Sequence, residues 1–435
     1  MKTAHDFPRD RAEFSYRIEI PYPVNRERQL QEALQNPVDN GELAGAAAAV
    51  WRDGAIQTAF AGWRDIESRL PIERDTIFRI ASMTKPITSV AALMLVDEGR
   101  IALNDPISEY APEFSKMRVL RSPSGPLEET DDSARPITVE DLLTHRSGLT
   151  YGSFHRGPIA RAYREALGGD IDSDVAPDDW IRRLAKLPLI DQPGSAMHYG
   201  TSTDLLGFLI AKIEGTSLGT LLERRIFGPL GMKDTGFFVF QEKRDRRAGA
   251  YGFDDQGRLT KRTTWGGARG EVVVPERPQN MAYESGGAGL WSTIDDYVMF
   301  ARLFLGDGAV DGVRLLRPET LSMMMSNQLT DTQRANFGLL GLKPFAVGRG
   351  FGLGVSVVLE TDKADLMRRG SVGTVSWPGA YGGWWQADPT DRSVFVFLAQ
   401  NMVELEQMAK GIGLGVWAAI EHFQTAAMAC AATLP

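Results

Sequence analysis

Residues 76–85 read Thr-Ile-Phe-Arg-Ile-Ala-Ser-Met-Thr-Lys and place a serine, Ser82, three residues ahead of a lysine, Lys85. The apolar run before Ser82 favours an extended segment, whereas Pro86 to Glu98, closed by Gly99, favours a helix. If Ser82 opens that helix, the lysine lies one turn along on the same face and its amine can reach the serine hydroxyl. The pattern predicts a nucleophilic serine with a proton acceptor beside it.

The chemistry of a Ser-x-x-Lys pair depends on its surroundings. A serine hydroxyl is a weak nucleophile and needs a neighbouring base. A lysine amine serves as that base only when burial and nearby positive charge lower its pKa. Ser82 is the only serine in the chain with a lysine at the third following position, yet such a pair arises easily by chance. The rest of the site must therefore come from other segments.

Strand signals stand at both ends of the chain, and helical signals lie between them. From about residue 137 to residue 232 the pattern is mainly helical. The turn signal Asp53-Gly54 joins the first two candidate strands into a hairpin. The candidate strands are Gly45–Trp51, Ile56–Gly62, Gly352–Leu359, Gly383–Ala387 and Ser393–Ala399.

This order of elements predicts the fold class. We expect an α+β fold, an α/β sandwich in which an antiparallel sheet built from both termini is flanked by helices, with an all-helical domain inserted. The length of 435 residues suits two such domains. We predict a sheet domain at residues 1–110 plus 280–435 and a helical domain at residues 111–279.

Composition excludes several classes of function. A net charge of −8 offers no basic face, so we expect no nucleic-acid partner. The single cysteine, Cys430, excludes an internal disulfide framework. The first residues lack the apolar core of a signal peptide, and no run of about 18 apolar residues occurs, so we expect a soluble, cytoplasmic protein without a membrane span. The histidines lack metal-ligand spacing and no P-loop occurs, so we expect neither a metal nor a cofactor.

Two further segments carry residues that suit a serine nucleophile. Tyr199 stands before the predicted helix Thr203–Glu214, and a phenolate stabilised by a lysine ammonium can act as a general base or acid. In Trp377-Pro378-Gly379-Ala380, the backbone N–H of Ala380 can join that of Ser82 as an oxyanion hole. On local grounds alone, a packed tyrosine at a helix start and a glycine-rich turn between strands remain open alternatives.

A second serine motif has the wrong context for catalysis. Gly215-Thr216-Ser217-Leu218-Gly219 matches the Gly-x-Ser-x-Gly nucleophile elbow, which needs a strand before it and a helix after it. Here a predicted helix precedes the motif, and the only histidine after Ser217 is His422 in the last predicted helix. We therefore expect Ser217 to lie in a turn between two helices.

Taken in chain order, several motifs resemble those of the serine β-lactamase and penicillin-binding protein superfamily. They cover most of the chain, from about residue 25 to residue 400. Within the superfamily, the chain looks closest to the class C β-lactamase-like carboxylesterases, the family VIII esterases. The motifs are Ser82-Met-Thr-Lys85, Leu142-Leu-Thr-His-Arg-Ser-Gly-Leu149, Tyr199 before Asp204-Leu-Leu-Gly207, Pro229-Leu-Gly-Met232 followed by Asp234-Thr235, and Gly286-Gly-Ala-Gly-Leu-Trp-Ser-Thr293.

The resemblance implies a fold and a set of roles. It implies a class C β-lactamase-like fold with the site between the two domains. Ser82 would be the acylated nucleophile, Lys85 its proton acceptor, and Tyr199 the partner that shuttles the proton. The segment Trp377-Pro-Gly379 would take the place of the third motif, where β-lactamases usually carry Lys-Thr-Gly.

The chain departs from the β-lactamase pattern at two positions. Thr201 stands where the second motif, Tyr-x-Asn, has its amide side chain, and Trp377 stands where the third motif has its lysine. A β-lactamase needs a cation there to hold the substrate carboxylate, whereas tryptophan supplies an aromatic wall. Pro378 also removes one backbone donor from the edge of the site. These departures favour a neutral ester over a β-lactam or a peptide.

We therefore predict a serine carboxylesterase that hydrolyses short-chain acyl esters. Its substrates would be small molecules, and it would need no cofactor. The alternatives are a β-lactamase, D-peptidase, amidase or acyltransferase on the same site, and a non-catalytic binding protein of the same fold. The sequence does not predict the oligomeric state. Candidate substrate-binding residues are Tyr151, Phe154, Thr201, Trp265, Trp377, Gly379 and Tyr381.

Overall fold

The protein is built around one large sheet. The structure, a computed structural model, describes residues 26–170, 172–262, 264–265, 272–273, 282–335, 347–361, 370–432 and 434. The strands of the sheet are β1 (Gly45–Arg52), β2 (Ala55–Asp65), β3 (Leu70–Pro71), β4 (Arg349–Phe351), β5 (Ser356–Val358), β6 (Val375–Gly379), β7 (Gly383–Asp388) and β8 (Ser393–Ala399). They form an eight-stranded sheet in the order β4-β5-β6-β7-β8-β1-β2-β3, with every neighbouring pair antiparallel.

The two ends of the chain meet inside this sheet. Strand β8 pairs with β1 from Ala46 opposite Ala399 to Arg52 opposite Ser393. The predicted antiparallel sheet built from both termini is therefore confirmed. Between β1 and β2, Asp53 and Gly54 have φ angles of 44° and 94°. Positive φ at both central residues is the conformation that hairpin turns of the primed types need.

Helices cover both faces of the sheet, so its inner strands are apolar on both sides. Phe397 of β8 packs on Phe423 of a helix on one face, with ring centroids 5.3 Å apart. On the other face, Trp385 of β7 packs on Tyr297 of a second helix, with centroids 5.9 Å apart. Burial on both faces explains why β8 reads as a continuous apolar run rather than an alternating one.

Most of the described helices lie between β3 and β4. This stretch also contains short antiparallel pairs between Arg118–Leu120 and Thr130–Asp132 and between Tyr251–Phe253 and Leu259–Lys261. The domain boundaries at 110 and 280 stay a prediction. The helices along the chain are α1 (Arg26–Asp39), α2 (Thr84–Asp97), α3 (Val139–Leu143), α4 (Pro158–Leu167), α5 (Pro177–Leu184), α6 (Ser202–Glu214), α7 (Leu218–Leu222), α8 (Gly228–Leu230), α9 (Ile294–Ala301), α10 (Pro318–Met324), α11 (Asp331–Ala335), α12 (Leu405–Met408) and α13 (Gly415–Ala431).

Of the strand predicted at Gly352–Leu359, only β5 is a strand, and the residues before it form the turn that joins β4 to β5. The chain turns at Gly354, which has a φ of 91°. A Cβ added to Gly354 would lie 2.0 Å from the Ser89 hydroxyl of α2, so only glycine allows the turn to approach that helix. The apolar sequence predicted the extended backbone, but it did not reveal this close approach.

Strand β6 was not among the predicted strands because its glycine and proline favour a turn. Its pairing with β5 ends at Ser376, while its pairing with β7 continues to Gly379. Beyond Ser376 the strand is therefore an edge on one side, where a proline without an N–H is tolerated. The residues Trp377 to Gly379 thus lie on a buried strand rather than in a loop.

Among the described residues, no single helix has the length and apolarity to cross a membrane. One helix pair, Ser202–Glu214 with Leu218–Leu230, passes that test only when both members are taken together, and it is bent by 76°.

We predict that Asp296 lowers the stability of the fold near neutral pH. Burial raises the pKa of its carboxyl to about 6, against the opposing hydrogen bonds from the Asp234 N–H and the Thr235 hydroxyl. Because the folded-state pKa is raised, ionisation costs stability as the pH rises from about 4 to above 6. Asp296→Asn should therefore raise the free energy of unfolding at pH 7 by about 1–3 kcal/mol.

The measurement is urea unfolding of both proteins at pH 7.5 and at pH 4. The gain should be present at the higher pH and shrink at the lower one, because the wild-type carboxyl is then protonated in the folded state and buries no charge. Asp255→Asn, at an exposed turn position, is the matched control and should change neither value. A gain of equal size at both pH values would contradict the charge-based explanation.

Candidate active site

Ser82 lies at a sharp junction between a strand and a helix. It is in the 3-10 turn Ala81–Met83, which follows the short strand Phe78–Arg79 and runs directly into α2. The helix begins at Thr84, so Ser82 precedes it rather than opening it. Strand Phe78–Arg79 pairs with Trp291–Ser292, which fixes the entry to the turn.

The turn is held in an unusual conformation. Ala81, next to the serine, has a φ of 44°, in the left-handed region that residues with a Cβ rarely adopt. The backbone oxygen of Met83 accepts a hydrogen bond of 2.8 Å from the hydroxyl of Tyr297, and the Met83 N–H donates to Ile80 at 3.1 Å. Local strain held in place by surrounding contacts is a recurrent property of functional sites.

Lys85 is buried and all its hydrogen bonds converge on the site. Its side chain lies in the first turn of α2, with the residue 1% exposed. The ammonium Nζ lies 3.4 Å from the Ser82 hydroxyl, 3.1 Å from the Tyr151 hydroxyl and 2.8 Å from the backbone oxygen of Gly287. The structure thus brings together the serine and lysine that the sequence paired.

Tyr199 contacts the lysine through its ring rather than its hydroxyl. The Nζ of Lys85 lies 4.5 Å from the centroid of the Tyr199 ring, a cation–π contact. The Tyr199 hydroxyl accepts a hydrogen bond of 3.3 Å from the indole N–H of Trp377. Tyr199 is therefore at the site, where its role as proton shuttle stays a prediction.

Tyr151 is the tyrosine whose hydroxyl touches the lysine. The sequence assigned it only to the substrate pocket, although it closely follows the Leu142–Leu149 motif, which could have indicated a place in the site. Burial, together with the nearby Asp204 carboxylate, raises the pKa of Tyr151 well above its ordinary value. The neutral phenol can accept a hydrogen bond from Lys85 and donate one to a substrate.

Asp204 is a buried carboxylate that the sequence analysis quoted without assigning it a role. It accepts hydrogen bonds from the Ser285 hydroxyl and, at 3.0 Å, from the Gly287 N–H. The Gly287 carbonyl in turn binds the Lys85 ammonium, so the carboxylate fixes the peptide that holds the lysine. Burial raises the pKa of Asp204, and the charge of Lys85 opposes that rise.

The end of β6 lies against the Ser82 turn. A Cβ on Gly379 would lie 2.6 Å from the backbone oxygen of Ile80, so only glycine permits this approach. Ala380, the next residue, is exposed at the turn between β6 and β7. This arrangement agrees with the predicted oxyanion hole of the Ser82 and Ala380 N–H groups, which stays a prediction.

Aromatic rings form a neutral wall beside the lysine. Trp377 is 1% exposed and packs on Tyr199 and Phe351, with ring centroids 5.4 and 5.2 Å away. His145 packs on Tyr199 at 4.8 Å. Burial, with a contribution from the charge of Lys85, lowers the pKa of His145 well below its ordinary value, so the imidazole is neutral. The third-motif position therefore presents an aromatic surface rather than a cation.

The remaining predicted pocket residues differ in their surroundings. Phe154 stacks on Tyr199, with centroids 6.2 Å apart. Thr201 is buried directly before α6, and its hydroxyl has no hydrogen-bond partner among the described residues. The hydroxyl of Tyr381 accepts a hydrogen bond of 3.0 Å from Arg79. The side chain of Trp265 lies outside the described residues.

The other candidate features of the sequence lie outside this site. Ser217 is the N-cap of α7, between α6 and α7, and its hydroxyl accepts from the Thr220 N–H at 3.2 Å. It therefore lies between two helices, as expected, and caps the second of them. Among the residues that the structure describes, no group of three or more His, Cys, Asp or Glu side chains could hold a metal ion.

The structure therefore places a buried lysine beside a serine at a strand–helix junction, next to the edge of an antiparallel sheet. The β-lactamase family model matches residues 30–414. This chain therefore belongs to the β-lactamase family.

Three similar proteins place the chain within that family. Protein Rv1367c of Mycobacterium tuberculosis is 45% identical over 377 residues, which cover 86% of this chain and 90% of that protein. Esterase EstB of Burkholderia gladioli is 32% identical over 377 residues, which cover 83% and 86%. The solved structure of EstCE1, described as a hydrolase with promiscuous acyltransferase activity, matches with a TM-score of 0.73 and 25% identity, covering 91% of this chain and 98% of that one.

We predict that Gly379→Ala sharply reduces catalysis. The added Cβ would meet the Ile80 oxygen and push the end of β6 away from the Ser82 turn. Loss of one oxyanion donor typically lowers kcat by a factor of about 10²–10³. The measurement is kcat of the purified variant on a p-nitrophenyl ester that the wild type hydrolyses.

Gly306→Ala serves as the matched control, because the nearest atom to its added Cβ is 3.5 Å away. It should retain wild-type kcat. Equal kcat values for Gly379→Ala and the wild type would contradict the assignment of this turn to the oxyanion hole.

Proposed function

We propose that this protein is a serine carboxylesterase that hydrolyses short-chain acyl esters through an acyl-enzyme on Ser82. The observation that carries the proposal is the 3.4 Å contact between the Ser82 hydroxyl and the buried side-chain nitrogen of Lys85, beside the aromatic wall of Trp377. Ser82 supplies the nucleophile, and Lys85 in its amine form supplies the proton acceptor. The wall favours a substrate without a carboxylate.

In the proposed reaction, the Ser82 oxygen attacks the ester carbonyl and its proton passes to the amine of Lys85. The negative charge on the carbonyl oxygen is stabilised by the N–H groups of Ser82 and Ala380. The carbon–oxygen bond to the alcohol then breaks, and the alcohol takes the proton through Tyr199. Water attacks the acyl-enzyme in the same way, which releases the acid and restores the serine hydroxyl.

The surroundings of the nucleophile support an ester over a β-lactam. A β-lactam or a peptide with a free carboxylate needs a cation at the third-motif position. Trp377 occupies that position, and its indole N–H is already bonded to the Tyr199 hydroxyl. Thr201 offers no amide group at the second-motif position. EstB, a relative named as an esterase, supports the same choice.

Acyl transfer to an alcohol instead of to water is the second candidate. It uses the same acyl-enzyme and differs only in the final acceptor. The description of EstCE1 as a hydrolase with promiscuous acyltransferase activity supports it. Tyr199, Tyr151 and Trp377 are each 8% exposed or less, and their burial limits how much water surrounds the intermediate.

The cytoplasmic location and the absence of a nucleic-acid partner stay predictions.

The test is hydrolysis of p-nitrophenyl butyrate by the wild type, Ser82→Ala and Ser217→Ala. We expect Ser82→Ala to lose essentially all turnover, because the nucleophile is gone, and Ser217→Ala to keep it, because that serine only caps α7. A fluorophosphonate probe should label the wild type and Ser217→Ala but not Ser82→Ala.

Two parallel assays separate the alternatives. One uses a chromogenic cephalosporin as substrate, and the other adds methanol as the acyl acceptor. Faster cleavage of the cephalosporin than of the ester would indicate a β-lactamase. An active Ser82→Ala beside an inactive Ser217→Ala would overturn the site, and an unlabelled, inactive wild type would favour a binding protein.

A further inference from the structure

A chain of hydrogen bonds connects Lys85 to the buried carboxylate of Asp204. The side-chain nitrogen of Lys85 donates to the Gly287 carbonyl at 2.8 Å. The N–H of the same peptide group, which belongs to Ala288, donates at 2.9 Å to the hydroxyl oxygen of Ser285. The Ser285 hydroxyl in turn donates to Oδ1 of Asp204. One peptide group and one hydroxyl therefore link the proposed proton acceptor to a carboxylate.

All the dipoles in this chain point the same way. The carbonyl end of the peptide faces the lysine, and its N–H end faces the carboxylate through Ser285. Hydrogen bonds arranged in this way polarise one another, and the effect is largest in a low-dielectric interior. Lys85 is 1% exposed, and Ser285 and Asp204 are fully buried. The carboxylate can therefore act on the lysine without touching it.

The loop that carries this peptide is built to lie on Asp204. The Gly287 N–H donates to the same Oδ1 atom at 3.0 Å, and a Cβ on Gly287 would lie 2.5 Å from Oδ2, so only glycine fits there. On the other side of the loop, the Thr88 hydroxyl of α2 donates to the Gly286 carbonyl at 2.7 Å. The loop is thus held between α6 and α2, with its carbonyl bonded to Lys85.

The contacts of Asp204 are those of an ionised carboxylate. Both groups that bind its Oδ1 are donors, whereas a protonated carboxyl would need an acceptor for its own O–H. Burial raises the pKa of Asp204, but the charge of Lys85 and the two accepted hydrogen bonds oppose that rise. Because a single oxygen receives both bonds, an amide oxygen could receive them as well. The charge of Asp204 therefore has a role beyond holding the loop.

The other groups around Lys85 supply no comparable negative charge. Its direct contacts are hydroxyls, a carbonyl and an aromatic ring. Burial raises the pKa of Tyr151 and lowers that of His145, so both neighbours are neutral. The carboxylate of Asp170 accepts the N–H groups of the turn after Tyr151. Asp204 is the carboxylate that hydrogen bonds connect to the lysine.

We propose that Asp204 is a positioning residue that holds the Gly287–Ala288 peptide on Lys85 and stabilises the ammonium that forms when Lys85 takes the serine proton. The inference rests on the proposed esterase function and adds to it the group that supports the proton acceptor. A nucleophile, a base and a third group that orients the base form the general arrangement by which serine is activated. The proton moves from the Ser82 oxygen to Lys85 and later to the leaving alcohol, while Asp204 stays ionised.

The experiment measures kcat and kcat/KM for p-nitrophenyl butyrate from about pH 5 to pH 9 in the wild type and Asp204→Asn. The product is read at its isosbestic wavelength. The amide keeps the shape of the side chain and an oxygen for both hydrogen bonds, but it removes the charge. The acid limb of kcat/KM should move to lower pH by about one unit, because without the carboxylate the amine form of Lys85 persists at lower pH. On the plateau, kcat should fall by about tenfold, because the ammonium that forms is less stabilised.

A second variant and a control isolate the chain of hydrogen bonds. Ser285→Ala breaks the link but keeps the charge, so the acid limb should move the same way by a smaller amount. Combined with Asp204→Asn, it should move the limb no further than Asp204→Asn alone, because both changes act on one path. Asp388→Asn is the matched control, since Asp388 is also buried and accepts N–H groups, those of Ser371 at 2.7 Å and Thr390 at 2.9 Å, at the end of β7. It should change neither kcat nor the limb.

The outcomes separate the two proposals. A wild type that hydrolyses the ester at no pH would overturn the esterase function, and the inference about Asp204 with it. An active wild type whose acid limb stays in place in Asp204→Asn would overturn only the inference, and a lower kcat alone would then mean that Asp204 merely anchors the loop. If Asp204→Asn does not fold, the acid limb of Ser285→Ala decides in the same way.

Discussion

The burial of the Lys85 ammonium is the constraint on which the rest of the site depends. A charge removed from water is costly unless polar groups surround it. Here Ser82, Tyr151 and the Gly287 carbonyl accept its hydrogen bonds, and the Tyr199 ring faces it. Asp204 is placed as the counter-charge one layer further out. The need to satisfy one ammonium therefore brings together α2, α6, the Tyr151 turn and the glycine-rich loop before α9.

The fold and the contact between Ser82 and Lys85 could be predicted from the sequence because their signals are local. Hydrophobic runs mark the strands, and the spacing of Ser82 and Lys85 matches one helical turn. Strand β6 and the hairpin at Gly354 could not be predicted, because their glycines and proline are explained only by neighbours distant in the chain, such as Ile80 and Ser89. The contact of Tyr151 with the lysine and the role of Asp204 could not be predicted either, because both follow from tertiary packing.

An aromatic residue stands where the β-lactamase motif carries a cation, and a buried ion pair lies near the turn after β6. The position of the third motif holds Trp377, whose N–H bonds a phenol instead of a carboxylate. Near the turn after β6, Arg79 donates hydrogen bonds to Asp172 and to the Tyr381 hydroxyl. The aromatic surroundings of Trp377 support the proposal of a neutral substrate.

The pairing of β8 with β1 has a consequence for the synthesis of the protein on the ribosome. The hairpin of β1 and β2 is synthesised early, but β8, the other neighbour of β1 in the sheet, emerges only near the end of synthesis. Until then β1 offers an unpaired edge of small apolar residues, which is a template for pairing with other chains. Sheets joined by such distant segments also form slowly. Nascent chains of this protein should therefore depend on chaperones that shield this edge during translation.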